Sequence, residues 1–178
     1  MSAPCEGTPV SRAADGGLTI SPAGPGDLPA LVELMAAAPL LGRYGTTRES
    51  AGEALEGAQR AGDLLLVARS ADRTVAGLAW VVGSRILTGA AYLRLLLVAE
   101  PWQRAGVGAH LLATAEAEAG TGANLMVLLV TTDNAGARRF YEAHGYRHVG
   151  DLEGWAAPGL DEALYEKTLR RHGARLDF

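Results

Sequence analysis

The stretch from Tyr92 to Leu112 constrains the fold more than any other part of the chain. It opens with an almost unbroken apolar run, Tyr92-Leu93-Arg94-Leu95-Leu96-Leu97-Val98, that is halted by Pro101. A run this short and this apolar suits a buried central strand better than a surface one. Gln103-Arg104-Ala105-Gly106-Val107-Gly108-Ala109-His110 follows, and Val107, Leu111 and Ala115, with Leu112 beside them, have the spacing of one helix face. The pattern predicts strand, glycine-bearing turn, helix. Gly106 and Gly108 remove two Cβ atoms where the helix begins, so a ligand can approach the backbone while the first unpaired N–H groups point at it. A helix start of this kind favours anions, phosphate above all.

Two familiar phosphate motifs fail on the residues themselves. A P-loop needs Lys and Ser or Thr after its last glycine, whereas Ala109 and His110 follow Gly108. A dinucleotide fingerprint needs a third glycine at Leu111 and an acidic residue about twenty positions on, where the chain reads Val127-Leu128-Leu129-Val130. What remains, Gln103-x-x-Gly106-x-Gly108 after an apolar strand, resembles the acetyl-CoA pyrophosphate loop of the Gcn5-related N-acetyltransferase (GNAT) family. The plain alternative is an ordinary strand-to-helix turn.

At 178 residues the chain has the length of one domain, and a composition 48% hydrophobic and 20% charged is that of a globular protein. A net charge of −4, with no run of Lys or Arg, gives no general attraction to nucleic acid or to acidic membranes. No apolar stretch approaches a membrane span and the N-terminus lacks a basic start followed by an apolar core, so a cytoplasmic protein is expected. The single cysteine, Cys5, excludes an intrachain disulfide. His110, His144, His148 and His172 are scattered; His144 and His148 are four apart, but Gly145 separates helix from strand between them, so no metal site is expected.

Along the chain, residues 1–17 read as a disordered tail. Leu18 to Ser21 is a brief strand, and Asp27 caps a helix carrying Leu28, Leu31, Val32 and Met35 that Pro39 ends. Leu40 to Gly45 reads as a loop rich in apolar and aromatic groups. Thr47 or Thr46 caps a second helix, Thr46-x-x-Glu49 having capping-box spacing, and Gly62 closes it. Leu64–Arg69 and Thr74–Val82 form an antiparallel hairpin, Gly83 to Gly89 a connection. After the central strand and its helix, Leu125–Thr131 is a buried strand. Asp133 or Asn134 caps a helix with Ala137, Phe140 and Tyr141, and Gly145 ends it. Tyr146–Val149 and Ala163–Leu169 read as closing strands, with Gly150–Gly159 a loop between them. The order β-α-α-β-β-β-α-β-α-β-β argues for one α+β domain over 18–169, with a mixed, mostly antiparallel sheet and helices on both faces; 170–178 is a C-terminal tail.

This order matches the family. Its second segment is similar too, in Val127-Leu128-Leu129-Val130, Asn134, Ala137, Phe140-Tyr141 and Gly145-Tyr146, so the resemblance covers roughly Leu18 to Leu169. Gly150-Asp151-Leu152 through Tyr165-x-Lys167-x-Leu169 looks like the closing hairpin of small antibiotic- and toxin-resistance acetyltransferases. The resemblance implies direct acetyl transfer from acetyl-CoA to an amine, with no covalent enzyme intermediate. A chain without Gly-x-Ser-x-Gly or a plausible nucleophilic cysteine agrees. It further implies that Arg104, Ala105, Gly106, Val107, Gly108 and Ala109 cradle the pyrophosphate, with Gln103 at the loop's start. Main-chain groups near Val98 would pair with pantetheine, and Asn134 would reach the cofactor's amide arm, unless it serves only as a helix cap. Tyr141 matches the thiolate's acid, against a reading as a core tyrosine. The base is Glu100 or a water relay from a backbone carbonyl. The commoner family pattern has proline where Glu100 stands and glycine where Arg104 stands, which puts details of the loop in question.

For the acceptor, Tyr44, Trp80, Trp102 and Trp155 either line an aromatic pocket for a small-molecule amine or belong to the core and its edges. Two other readings stand beside it: acetylation of a protein or peptide terminus, and a non-catalytic sensor that binds acyl-CoA. Closure of the acceptor groove by Leu40–Gly45 would separate small molecule from peptide. The resemblance also admits a homodimer, for which the segment from Arg170 to Phe178, with Leu176 and Phe178, is the expected contact.

Overall fold

The computed structural model describes residues 17–87 and 89–169. Seven strands form one sheet in the order β1-β2-β3-β4-β5-β7-β6: β1 (Thr19–Pro22), β2 (Leu64–Arg69), β3 (Val75–Leu87), β4 (Ala90–Val98), β5 (Leu125–Thr131), β6 (Arg147–Ala157) and β7 (Leu160–Thr168). All neighbours pair antiparallel except β4 and β5, which are parallel and joined by a crossover helix. The helices are α1 (Leu28–Ala36), α2 (Pro39–Arg43), α3 (Arg48–Ala61), α4 (Val107–Ala119) and α5 (Ala135–Ala143). Among the described residues no helix is long and apolar enough to cross a membrane.

The apolar strands are two-sided because helices cover both faces. Leu65, Val67, Leu78 and Trp80 pack with Leu31 and Met35 of α1 and Leu55 of α3. Their sequence neighbours Leu66, Ala68, Ala79 and Val81 pack on the other side with Val107, Leu111 and Leu112 of α4. Each fully buried leucine contributes roughly 1.5–3 kcal/mol. Helix α4 sits closest to the sheet at Gly77, where a Cβ would lie 2.7 Å from the Leu97 carbonyl oxygen and 2.9 Å from Leu111 Cδ1. At the far edge of this layer Lys167 Nζ of β7 donates to Glu116 Oε2 of α4 at 2.6 Å.

Four local expectations are corrected. Leu40 to Gly45 is not all loop: Pro39 ends one helix and, with its fixed φ, starts α2. The cap of α3 is Thr47, whose Oγ1 accepts from the Ser50 N–H at 3.1 Å, so the box runs to Ser50 and not from Thr46 to Glu49. Strand β3 continues through Gly83 to Leu87. Gly150–Gly159 is largely strand: β6 reaches Ala157, which pairs with Leu160, and two register shifts absorb the glycines. In each strand case a neighbouring strand supplies the ladder that local propensity does not. Residues 1–16 with Cys5, and 170–178 with His172, lie outside the described residues.

Candidate active site

Strands β4 and β5 pair only from Ala90–Leu93 to Leu125–Leu128. Beyond that, β4 stays with β3 as far as Val98 and β5 stays with β7 as far as Thr131. The sheet is therefore split at this end, with no ladder between Arg94–Val98 and Leu129–Thr131. Arg94 also drops out of the β3 ladder, since Trp80 pairs with Leu95 and Val81 with Leu93, and such a bulge bends a strand. A cleft of about 550 Å³ lies over the split and is lined from both strands, from α2 and α3, and from Asn134, Ala137 and Tyr141.

The split brings together groups from opposite faces of the sheet. Tyr141 belongs to the α4–α5 face, packed edge-on against Phe140 and Tyr146 with ring centroids 5.2 and 5.4 Å away. Its side chain is buried, yet its hydroxyl bonds to no described residue and the ring lines the cleft. Burial, and then the neighbouring Tyr92, push this phenol well above its ordinary range, so it holds its proton as a donor. Burial likewise raises Tyr92; Arg94 opposes the shift and Glu162 adds to it.

On the α1–α3 face Thr131 of β5 stands in register with Glu162 of β7. Tyr44, at the end of α2, donates to Glu162 Oε1 and lies 2.6 Å from Thr131 Oγ1, which is left to donate to the phenol oxygen. Beside it Arg43 forks onto Asp133, with Nη1 and Nη2 at 3.2 and 2.9 Å from the two carboxylate oxygens. Residues 43 and 44 thus clasp the roof of the cleft to β5, to β7 and to the turn before α5. Glu162 is 4% exposed, and burial raises its carboxyl above the usual range against the lowering by the Tyr44 hydrogen bond. Asp133 pushes it further up and Arg43 pulls it down.

At the start of α4, Gly106 is the N-cap residue with φ +82°, and Arg104 is also left-handed at φ +62°. None of the N–H groups from Arg104 to Ala109 hydrogen-bonds to a described residue. A loop whose amides are unspent at a helix start fits an anionic pyrophosphate. Gly108 faces the packed side of the loop. A Cβ there would meet Val98 Cγ2 at 3.6 Å and Phe140 Cζ at 3.7 Å, so its clearance lies on the inner side of the helix.

Of the other expected residues, Gln103 Nε2 donates to the Val98 carbonyl at 3.2 Å, tying the loop to the end of β4. Asn134 Oδ1 accepts from the Ala137 N–H at 3.0 Å as the cap of α5, and Asn134 lines the cleft as well. Glu100 is not brought to Tyr141: it is exposed in a short 3₁₀ turn, Glu100–Trp102, and does not line the cleft. Pro101 in that turn starts a new direction after β4, which carries Glu100 past the split. Tyr44, Trp80 and Trp155 do line the cleft, whereas Trp102 packs on the α4 side. Sequence reasoning missed Tyr92, Thr131 and Glu162. The apolar alternation of β7 marks a strand, but nothing in one sequence sets Glu162 against Thr131.

An acetyltransferase (GNAT) domain family model matches residues 46–155, more than half of the chain. No curated protein matches by sequence. Among solved structures, Ard1 from Thermoplasma volcanium is similar with a TM-score of 0.74 and 19% identity, covering 87% of this chain and 99% of its own. The ribosomal-protein-S18-alanine N-acetyltransferase from Escherichia coli gives 0.70 and 21%, over 90% and 99%. YncA from Salmonella typhimurium, solved with acetyl-CoA, gives 0.70 and 20%, over 89% and 97%. At these identities the likeness is one of fold. With the family model matched through the Gln103–Ala109 loop and both strands of the split, the chain belongs to the GNAT acetyltransferase family.

Proposed function

We propose that this acetyltransferase, whose acyl donor is acetyl-CoA, delivers the acetyl group to the primary amine of a small molecule. The observation that carries the acceptor class is the clasped roof: Tyr44 on Thr131 and Glu162, and Arg43 on Asp133, close the acceptor side where an extended peptide would need an open groove. The wall beneath is apolar and aromatic, with Met35, Leu41, Tyr92 and Trp155. The E. coli relative acetylates a ribosomal protein's alanine, so a peptide terminus is the competing acceptor. A purely sensory role is disfavoured by an unspent phenol facing the cleft across from a carboxylate.

Bound acetyl-CoA supplies an acetyl thioester. The unspent amides of Arg104–Ala109 hold its anionic part at the α4 N-terminus, and Gln103 fixes that loop to Val98. Tyr141, kept protonated by burial, donates to the departing sulfur. Asn134 holds α5, and with it Tyr141, at the cleft. We assign this work to residues 18–169 and to the cytoplasm, where the thioester is at hand. A screen that follows CoA release from a panel of small primary amines and a panel of N-terminal peptides tests the acceptor class. Turnover of small amines with peptides inert is expected; peptides alone as acceptors would overturn it.

A further inference from the structure

We propose that Glu162 binds the acceptor as its ammonium ion and takes the proton that must leave before the nitrogen can attack. This rests on the acetyl-transfer reading above and names the acceptor's charge and the base. Among the described residues Glu162 and Arg94 are the only charged side chains lining the cleft, and Glu162 is the only carboxylate. Its Oε1 accepts from Tyr44, but Oε2 has no donor and the carboxylate no ion pair among the described residues. Oε2 keeps access to the cleft, and an ammonium arriving there can pair with it. Around it stand Tyr44 from α2, Thr131 from β5, Tyr92 from β4, and the Arg43–Asp133 pair, which is spent on itself.

The position suits the chemistry. Glu162 lies on the α1–α3 face at the open end of the split, Tyr141 on the α4–α5 face, and Tyr92 is electrostatically coupled to both. An amine between them has a proton acceptor on one side and a proton donor on the other. The ammonium gives one proton to Glu162, which passes it to solvent. The freed lone pair forms the C–N bond and the C–S bond breaks with its electron pair going to sulfur. Tyr141 protonates that sulfur and regains a proton from the nitrogen, which has become acidic on bonding to carbon. The sum is an ammonium and a thioester giving an amide, a thiol and one proton.

The test uses two probes that share a benzyl group: benzylamine, an ammonium ion at neutral pH, and O-benzylhydroxylamine, one oxygen longer, whose amine is uncharged there and needs no base. Glu162→Gln keeps the size and can still accept from Tyr44. With benzylamine its kcat/KM should fall by ~10²–10⁴. With O-benzylhydroxylamine the fall should be smaller by at least about tenfold. Equal losses with both probes would make Glu162 a structural clasp for Tyr44, and no loss with benzylamine would remove it as base; either overturns the proposal. So does a wild-type protein that binds acetyl-CoA, measured by calorimetry, yet never acetylates benzylamine. Absence of acetyl-CoA binding itself sinks the transfer reading instead, and that is read separately.

Discussion

Leu93 pairs with Leu128, and the next residue of β4, Arg94, pairs with nothing in either neighbouring strand. One extra residue thus ends the β4–β5 ladder and bends β4 away, while the Arg94 guanidinium lies 4.7 Å over the Trp80 ring and anchors the bend. The opening that results is lined by the phenol of Tyr141 from one face and the carboxylate of Glu162 from the other.

Tyr141→Phe keeps the ring contacts with Phe140 and Tyr146 and deletes only the donor. Acetyl-CoA affinity should hold while kcat drops ~10²–10⁴. Full turnover by the variant across pH, with the chemical step shown to limit the rate, would make Tyr141 a packing residue.

Glu162 must be ionised to take a proton, and burial raises its carboxyl above the ordinary range. The kcat/KM for an ammonium acceptor should therefore decline on the acid side with a midpoint above that of a free glutamate, activity being full above that midpoint and lost below it. Glu162→Gln should erase this limb. A limb unchanged in the variant assigns it to another group.

The two loop glycines should separate. Gly106 is left-handed, and a Cβ there costs about 1–2 kcal/mol in backbone strain, so Gly106→Ala should weaken acetyl-CoA binding roughly 5- to 30-fold. Gly108→Ala meets Val98 and Phe140 at ordinary contact distance and should cost less. Calorimetry on both variants decides it; equal losses would show that the ligand's own bulk is what both positions accommodate.

Asn134 has two jobs that one pair of variants can divide. Asn134→Ala removes the cap on the Ala137 N–H and should lower stability by ~1 kcal/mol. Asn134→Asp restores the cap but lacks the amide donor. If Asp recovers the melting temperature and not the acetyl-CoA affinity, the side chain reaches the donor; recovery of both makes it a cap alone.

Gly77→Ala should destabilise the whole protein by ~1–3 kcal/mol, because the new methyl lands against the Leu97 carbonyl and Leu111. Chemical denaturation measures this directly. A neutral result would mean that α4 can retreat from the sheet without cost.

The element order and the glycine turn before α4 were legible because they depend on local signals: apolar runs, Gly106, the Asn134 cap. Helix α2 was not, since Pro39 reads equally as a stop and as a start. The second half of β6 was hidden because Gly150 and Gly154 argue for a loop, while its partner on β7 decides otherwise. The largest gap was the carboxylate that lines the cleft. Glu100 adjoins the central strand in sequence, but a 3₁₀ turn carries it outward; Glu162 is some sixty positions further on and arrives only through the β5–β7 register. Chain proximity found the half of the site built on one segment, and spatial register the half built on three.

The two-faced split also separates what evolution can change. On the proposed reading the anionic part of the donor is held from the α4–α5 side by backbone amides, which substitutions other than proline leave in place. On the proposed reading the acceptor is met from the α1–α3 side by Tyr44 and Glu162, on two elements distant in sequence from the loop. Mutations can retune which amine is chosen without touching how the acetyl group is held, so a scaffold of this kind can diversify its acceptors while its donor stays fixed.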